Sequence, residues 1–369
     1  MKFLFHLNHP AHFHLFRNTI RGLEEHGHQV KVTIRDKDIL KKLMDEFGMP
    51  YTSLKEKYRK KNLFSIGLSM IRRELQLIRI IRKFKPDILA GTSPELGQIS
   101  WIVRKPCFFF AEDDVRLTRT MYLGAFTYFP FFKRVFSPIG CDNARWNRKT
   151  IHYPGYHKLA YLHPNWFTPQ PEKTGFKEGE KLFLLRLSSL SAYHDKDARG
   201  ISNELAWKLV EMLKPYGRVM ISSEREPEER FKPYLFDGKL NDMHHYIARS
   251  SLFISDGQSM IVEAAMLGVP NIRFNDFIGR ISVLNELEDD YILSFGIPYT
   301  EESRLIETIN TLLKDENIGE TFKDRRRKLL ADKIDVSTFF TWFFNDYPKS
   351  LKTLNEGPGY INKFRANQE

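Results

Sequence analysis

The chain has 369 residues, of which 42% are hydrophobic and 28% charged, with a formal net charge of +11. That length suits about two domains of roughly 150 residues, each with a sizeable core, and the composition excludes a low-hydrophobicity disordered chain. Two cysteines, Cys107 and Cys141, exclude a disulfide framework, and no stretch approaches the roughly 20 apolar residues of a membrane span.

Met1 to Leu7 is a short apolar run that predicts a buried first strand. It meets His6, Asn8, His9 and Pro10 too soon for a signal-peptide core, so the expected location is cytoplasmic. Asn8 to His14 is read as the loop after that strand. Phe13, Phe16, Ile20 and Leu23 recur at three and four and predict an amphipathic helix over 13–26, stopped by Gly27. His28–Ile34 alternates as a second strand, and Asp38–Phe47 reads as a helix ended by Gly48 and Pro50. Between Lys55 and Lys85 eleven basic residues, among them Arg59, Lys60, Lys61, Arg72 and Arg73, face only Glu56 and Glu74, so this window carries +9. Its apolar residues recur at helical spacing, giving a helix with a basic outer face. Such a face suits an anionic membrane surface, with aromatics from Phe126 to Phe132 as an adjacent apolar patch. The rest of the chain is near neutral, which argues against a nucleic-acid binder, and no nucleic-acid motif is present.

Ile88–Thr92 and Pro106–Ala111 are further strands. Seven prolines and glycines from Pro154 to Gly179 mark the expected linker. A second series of strands and helices follows. Strands are predicted at 181–187, 218–222, 251–255 and 269–274, and helices at 202–213, 244–250, 259–267, 303–314 and from about 335 onward. Strands alternating with helices imply parallel sheets covered on both faces. The expected fold is α/β, with two Rossmann-like, doubly wound domains facing a central cleft. The domains are drawn at 1–160 and 161–345, and the tail 346–369 is expected to pack back on the first.

Candidate chemistry gathers at predicted strand ends. The first loop carries His9, His12 and His14; histidine suits proton transfer near neutral pH. No cysteine or carboxylate accompanies these histidines, so no metal is expected. Glu112, Asp113 and Asp114 follow a strand, and crowding should raise at least one of their pKa values. Glu95 follows another strand, and His194 falls in the first loop of the second domain. The string Ser255, Asp256, Gly257, Gln258, Ser259, Met260 reads as a turn entering a helix. Its unpaired first-turn N–H groups and dipole suit a diphosphate, and Glu263, one turn on, could accept from ribose hydroxyls.

The stretch from His12 to Gly27 resembles the first loop and helix of GT-B glycosyltransferases, although its turn is Asn8-His9-Pro10-Ala11 rather than glycine-rich. The string from Ser255 to Pro270 resembles the nucleotide-sugar site shared by those transferases and the non-hydrolysing UDP-N-acetylglucosamine 2-epimerases, with Glu263 and Leu267-Gly268-Val269-Pro270 matching in spacing. Glu95, Glu112 and His194 fall in places comparable to acid and histidine positions of the epimerases. As a whole the chain is similar to a family of uncharacterised bacterial and archaeal proteins of that superfamily. His9 to Phe13, Gly155 to Leu162 and Ser188 to His194 carry this resemblance. It implies an enzyme taking a nucleotide-sugar, with a UDP-sugar as the expected donor and no cofactor beyond it. The acceptor would be a glycan or lipid-linked molecule in surface polysaccharide synthesis, with peripheral contact at the inner membrane face. His12 is the expected base, Glu112 the alternative; His9, His14 and the basic residues Arg59, Lys60, Lys61, Arg72 and Arg73 would face acceptor or membrane. The competing readings are an epimerase or nucleotide-sugar hydrolase using Glu95, Glu112 and His194, and a non-catalytic sugar-nucleotide or polyanion binder.

Overall fold

The computed structural model describes residues 1–35, 38–54, 63–177, 179–189 and 200–365. They form two compact units, one of Met1–Tyr161 with Ile334–Arg365, the other centred on Leu162–Lys333. The first unit holds strands β1 (Lys2–Leu7), β2 (Gln29–Arg35), β3 (Thr52–Leu54), β4 (Ile88–Gly91), β5 (Cys107–Phe110), β6 (Arg134–Pro138) and β7 (Thr150–Tyr153). They make one parallel sheet in the order β3-β2-β1-β4-β5-β6-β7. The second unit holds β8 (Leu182–Leu187), β9 (Arg218–Ser223), β10 (Leu252–Ser255), β11 (Asn271–Asn275) and β12 (Phe295–Pro298), parallel in the order β12-β11-β10-β8-β9. Both sheets are doubly wound, as the alternation of strands and helices requires.

β5 shows why these segments are strands. Its run Cys-Phe-Phe-Phe is apolar at every position, the pattern of a strand covered on both faces. Phe109 points to one face, against Phe129 and Phe132. Phe108 and Phe110 point to the other, against Phe343, Phe344 and Phe340 of the helix Val336–Asn345. The sequence expectation placed residues 334–345 with the second domain; these contacts put them in the first unit, because the helix's aromatic face covers that unit's sheet. The second unit has its own core, in which Phe183, Leu185, Ile254 and Ile272 of the strands meet Leu205, Leu209 and Leu305 of the helices.

Two expectations are corrected at loops. The first helix runs over Pro10–Glu25 rather than from Phe13, because proline is well suited to the first helical position. The segment 153–179, expected as a linker, begins as packed structure: Tyr153, Tyr156 and Leu159–Leu162 are fully buried. Among the described residues no helix is long and apolar enough to cross a membrane.

Candidate functional site

Ligands of doubly wound sheets bind beyond the carboxyl ends of the strands, where the strand order reverses. In the first unit that point lies between β1 and β4, both paired directly in register. The helix Pro10–Glu25 starts there. His9 caps it, its Nδ1 accepting the Ala11 N–H at 3.2 Å. His12 therefore lies in the first helical turn, half-buried, with its ring 5.8 Å from that of exposed His9. Thr92, just past β4, places Oγ1 2.6 Å from His12 Nδ1 and 2.9 Å from Nε2. One hydroxyl can engage only one of these nitrogens at a time, and the Asn8 N–H lies 3.5 Å from Nδ1, so Nε2 is the nitrogen left for a ligand when Thr92 bonds Nδ1. Burial holds the His12 pKa well below its usual value, and the positive potential of His9, His157 and Lys158 adds to the effect. At neutral pH His12 is an uncharged ring that can accept a proton.

Glu112, two residues past β5, does not fit the role of a crowded acid with a raised pKa. Its carboxylate accepts from Lys158 Nζ at 2.6 Å and from the His157 N–H at 2.6 Å, and His157 Nδ1 lies 3.8 Å away. Burial alone would raise its pKa, but the Lys158 ammonium and His157 outweigh burial and hold the carboxyl below its ordinary value. The expected crowding with Asp114 is absent because Asp114 turns to accept the Asp142 N–H at 2.7 Å. An ionised, doubly bonded Glu112 is a poor general base, so the structure also corrects its place as the alternative to His12. His157 is itself buried, and desolvation pushes its pKa down to about 4.

Glu95 opens the helix Glu95–Val103 past β4 and lies 3.6 Å from His6 Nε2; His6 Nδ1 lies 3.0 Å from Thr33 Oγ1. Burial would raise the Glu95 pKa, and the adjacent His6 ring reverses this to a net lowering. His6, His12, Thr92, Glu95, Glu112, His157 and Lys158 thus share the carboxyl edge of one sheet. Thr92, His157 and Lys158 had no assigned role in the sequence reading. Their signal was position: each follows the end of a strand, but β7 was not foreseen. His14, expected on the acceptor side, is instead buried, its ring 5.0 Å from that of Tyr161.

In the second unit the order reverses between β8 and β10, and Asp256 sits there, fully enclosed. Its carboxylate accepts from Ser188 N–H and Oγ, both at 2.7 Å, and from Ile201 N–H at 3.3 Å, and it pairs with Arg225. Arg225 also donates to the Ser188 and Ile201 carbonyls at 2.7 Å each. A Cβ on Gly200 would lie 2.6 Å from that of Asp256, so only glycine allows this approach. Asp256 is therefore a tie between strand ends, not a ligand for diphosphate. Burial pushes its pKa up, while Ser188 and Arg225 pull it back.

Beyond it, the Gly257 N–H donates to Ser255 Oγ at 2.8 Å, which engages that backbone donor within the turn, while the Ser255 hydroxyl, acting there as acceptor, keeps its own O–H to donate. The helix Ser259–Leu267 has Gln258 at its cap position, and no side chain caps it. Gln258, Ser259 and Met260 are half-buried, so the first turn remains within reach of a ligand. Glu263, one turn on, is buried with Oε1 3.5 Å from His244 Nε2, a neighbour the sequence reading did not foresee. His194, Arg59, Lys60 and Lys61 lie outside the described residues. Arg72 is exposed and Arg73 half-buried on the helix Leu63–Phe84. Among the described residues no group of three or more His, Cys, Asp or Glu side chains is placed to hold a metal ion.

The family described as "Protein of unknown function (DUF354)" matches residues 1–277. No curated protein matches the chain by sequence. Solved structures share its fold at low identity. The S. aureus MnaA complex with UDP is 11% identical, covering 98% of this chain and 97% of its own, with a TM-score of 0.65. The Neisseria meningitidis UDP-GlcNAc 2-epimerase bound to UDP-GlcNAc is 15% identical, covering 89% and 100%, with a TM-score of 0.56. The Streptomyces sp. SF2575 glycosyltransferase SsfS6 is 12% identical, covering 92% and 98%, again with a TM-score of 0.56. These likenesses show a fold with two Rossmann-like domains of the GT-B type.

Proposed function

We propose that this chain, which belongs to the DUF354 family, transfers a sugar from a nucleotide-sugar donor, a UDP-sugar, to a hydroxyl of a glycan or lipid-linked acceptor. The donor diphosphate is assigned to the uncapped first turn of the helix Ser259–Leu267, where N–H groups and the helix dipole meet negative charge. Glu263 is assigned to the ribose hydroxyls. His12 takes the acceptor proton as the acceptor oxygen bonds to the sugar C1, and the bond from C1 to the diphosphate oxygen breaks. The released diphosphate keeps the electron pair, and the helix N–H groups stabilise its charge without a metal.

One observation carries this reading. His12 is held uncharged at the reversal point of its sheet, with Thr92 orienting it, while Glu112 is held ionised by Lys158. Both Glu112 oxygens are taken, by the His157 N–H and by Lys158, whereas the half-buried His12 ring can be reached. Its lowered pKa makes it a weak base that takes the proton only as the bond from the acceptor oxygen to C1 forms. Such an acceptor would put the enzyme in surface polysaccharide synthesis, at the inner face of the cell membrane.

The test is transfer of labelled sugar from a panel of UDP-sugars into an acceptor fraction of polysaccharide and lipid. His12→Ala should lose about 100-fold or more of the transfer rate, as removal of a general base does, and should keep UDP binding by calorimetry. Full activity in that variant removes His12 from the mechanism. Epimerase or hydrolase chemistry has one observation in its favour, the Glu95–His6 pair past β4. Incubation without acceptor separates the readings: a new epimer or free UDP supports that chemistry, and an unchanged nucleotide-sugar supports transfer.

A further inference from the structure

A second surface of the first unit stands at the opposite end of its sheet, around the starts of β5 and β6. There the Lys133 N–H donates to the Cys107 carbonyl at 2.8 Å and closes the floor of an open depression of about 910 Å³. Trp101 is 70% exposed, Ile102 50% and Phe131 37%. The Trp101 and Phe131 rings are 6.0 Å apart, so the apolar groups form a cluster rather than scattered exposures. Arg104, Lys105 and Lys133 line the same depression, and no carboxylate does. Arg104 holds this place at φ 53°, ψ 46°, a left-handed helix end that glycine usually occupies. The cation is present where local backbone preference favours another residue.

We propose that this face docks on an anionic lipid surface. Tryptophan and phenylalanine suit the boundary between headgroups and acyl chains, and the three cations suit lipid phosphates on the same plane. The charge is one-sided and the apolar groups protrude beside it, the combination that a membrane surface takes and a purely polar anion does not use. The surface is distinct from the cluster around His12 and does not depend on the proposed reaction.

The test is flotation of the full-length protein with vesicles of phosphatidylcholine alone and of phosphatidylcholine mixed with phosphatidylglycerol, at low and high salt. Wild-type protein should float with the anionic vesicles and be released by salt. The exposed pair Trp101→Ser/Phe131→Ser should bind at least about tenfold more weakly at unchanged net charge. Arg104→Glu/Lys105→Glu/Lys133→Glu should lose the preference for phosphatidylglycerol. Thermal melting of both variants should match wild type, since the altered side chains are at the surface. Four results overturn the proposal: no flotation of the wild type, equal binding to both vesicle types, undiminished binding of the Trp101→Ser/Phe131→Ser variant, or retention on heparin without vesicle binding.

Discussion

His157 is a buried imidazole wedged between the Glu112 carboxylate and its own place in the chain, and its pKa is pushed down to about 4, first by desolvation. An ordinary histidine titrates near 6.5, so between these values the unfolded chain binds a proton that the folded chain refuses. A depressed folded pKa contributes stability that is fully present above pH 6.5 and is lost as the pH falls toward 4. A gap of 2.5 units corresponds to roughly 3 kcal/mol. His12 is shifted in the same direction and adds to the loss. Below about pH 4.5 Glu112 joins them, since its folded pKa also lies below its ordinary value. Urea unfolding at pH 7.5 and pH 5 should therefore show a marked drop in the wild type. His157→Gln should flatten that drop, although the variant starts less stable at pH 7.5. An equal slope in both proteins would show that His157 titrates normally in the fold.

The helix Val336–Asn345 shows an element built by one aromatic face. Asp335 caps it, accepting the Thr338 N–H at 3.0 Å, and Phe339, Phe340, Phe343 and Phe344 are fully buried. Phe340 packs 4.9 Å from Phe110, 5.5 Å from Phe136 and 5.4 Å from Tyr153, centroid to centroid. The first helix approaches closely because Gly22 has no side chain; a Cβ there would lie 2.9 Å from Thr341 Cγ2. Phe340→Ala should cost about 3–5 kcal/mol in chemical unfolding, the range for a large core truncation. A cost below about 1 kcal/mol would mean that the face is not packed as described. Elements of this kind were legible in the sequence where the pattern is local. The apolar run of β5, the first strand and the glycine stop at Gly27 all read correctly from neighbouring residues. The start of the first helix did not, because Pro10 was taken as loop punctuation when it is also a good first helical residue. The site was legible only in part. His12, Glu95 and Glu112 could be picked by their places after strands, but their states could not. The partner that ionises Glu112 is Lys158, 46 residues away, and the partner that orients His12 is Thr92, 80 residues away. Such pairs are set by strand order, and strand order has no local signature.

The chain as a whole crosses from one unit to the other and returns. Residues Leu162–Lys333 carry a sheet and a core of their own, whereas Met1–Tyr161 lacks one layer until Ile334–Arg365 comes back. The return is tied by a backbone bond from the Ile334 N–H to the Pro154 carbonyl at 2.9 Å, and the returning segment closes on itself through the Asp335 N–H to the Phe364 carbonyl at 2.8 Å. Ser337 Oγ adds a bond to the Ala160 carbonyl at 2.6 Å. Without that layer, Phe3, Phe108, Phe110 and Phe136 would face water on one side of the sheet, an apolar surface far larger than a soluble monomer exposes. The two halves should therefore behave differently when separated. A fragment of residues 162–333 should be soluble and melt cooperatively, because its core is complete. A fragment of residues 1–161 should aggregate or bind a hydrophobic dye strongly. Joining residue 161 to residue 334 through a short flexible linker should restore a cooperative melt, since the missing layer is then covalently present and its tie to Pro154 is close in sequence to the junction. Cooperative melting of 1–161 alone at the temperature of the joined fragment would show that the returning helix is an accessory and not a layer of the fold.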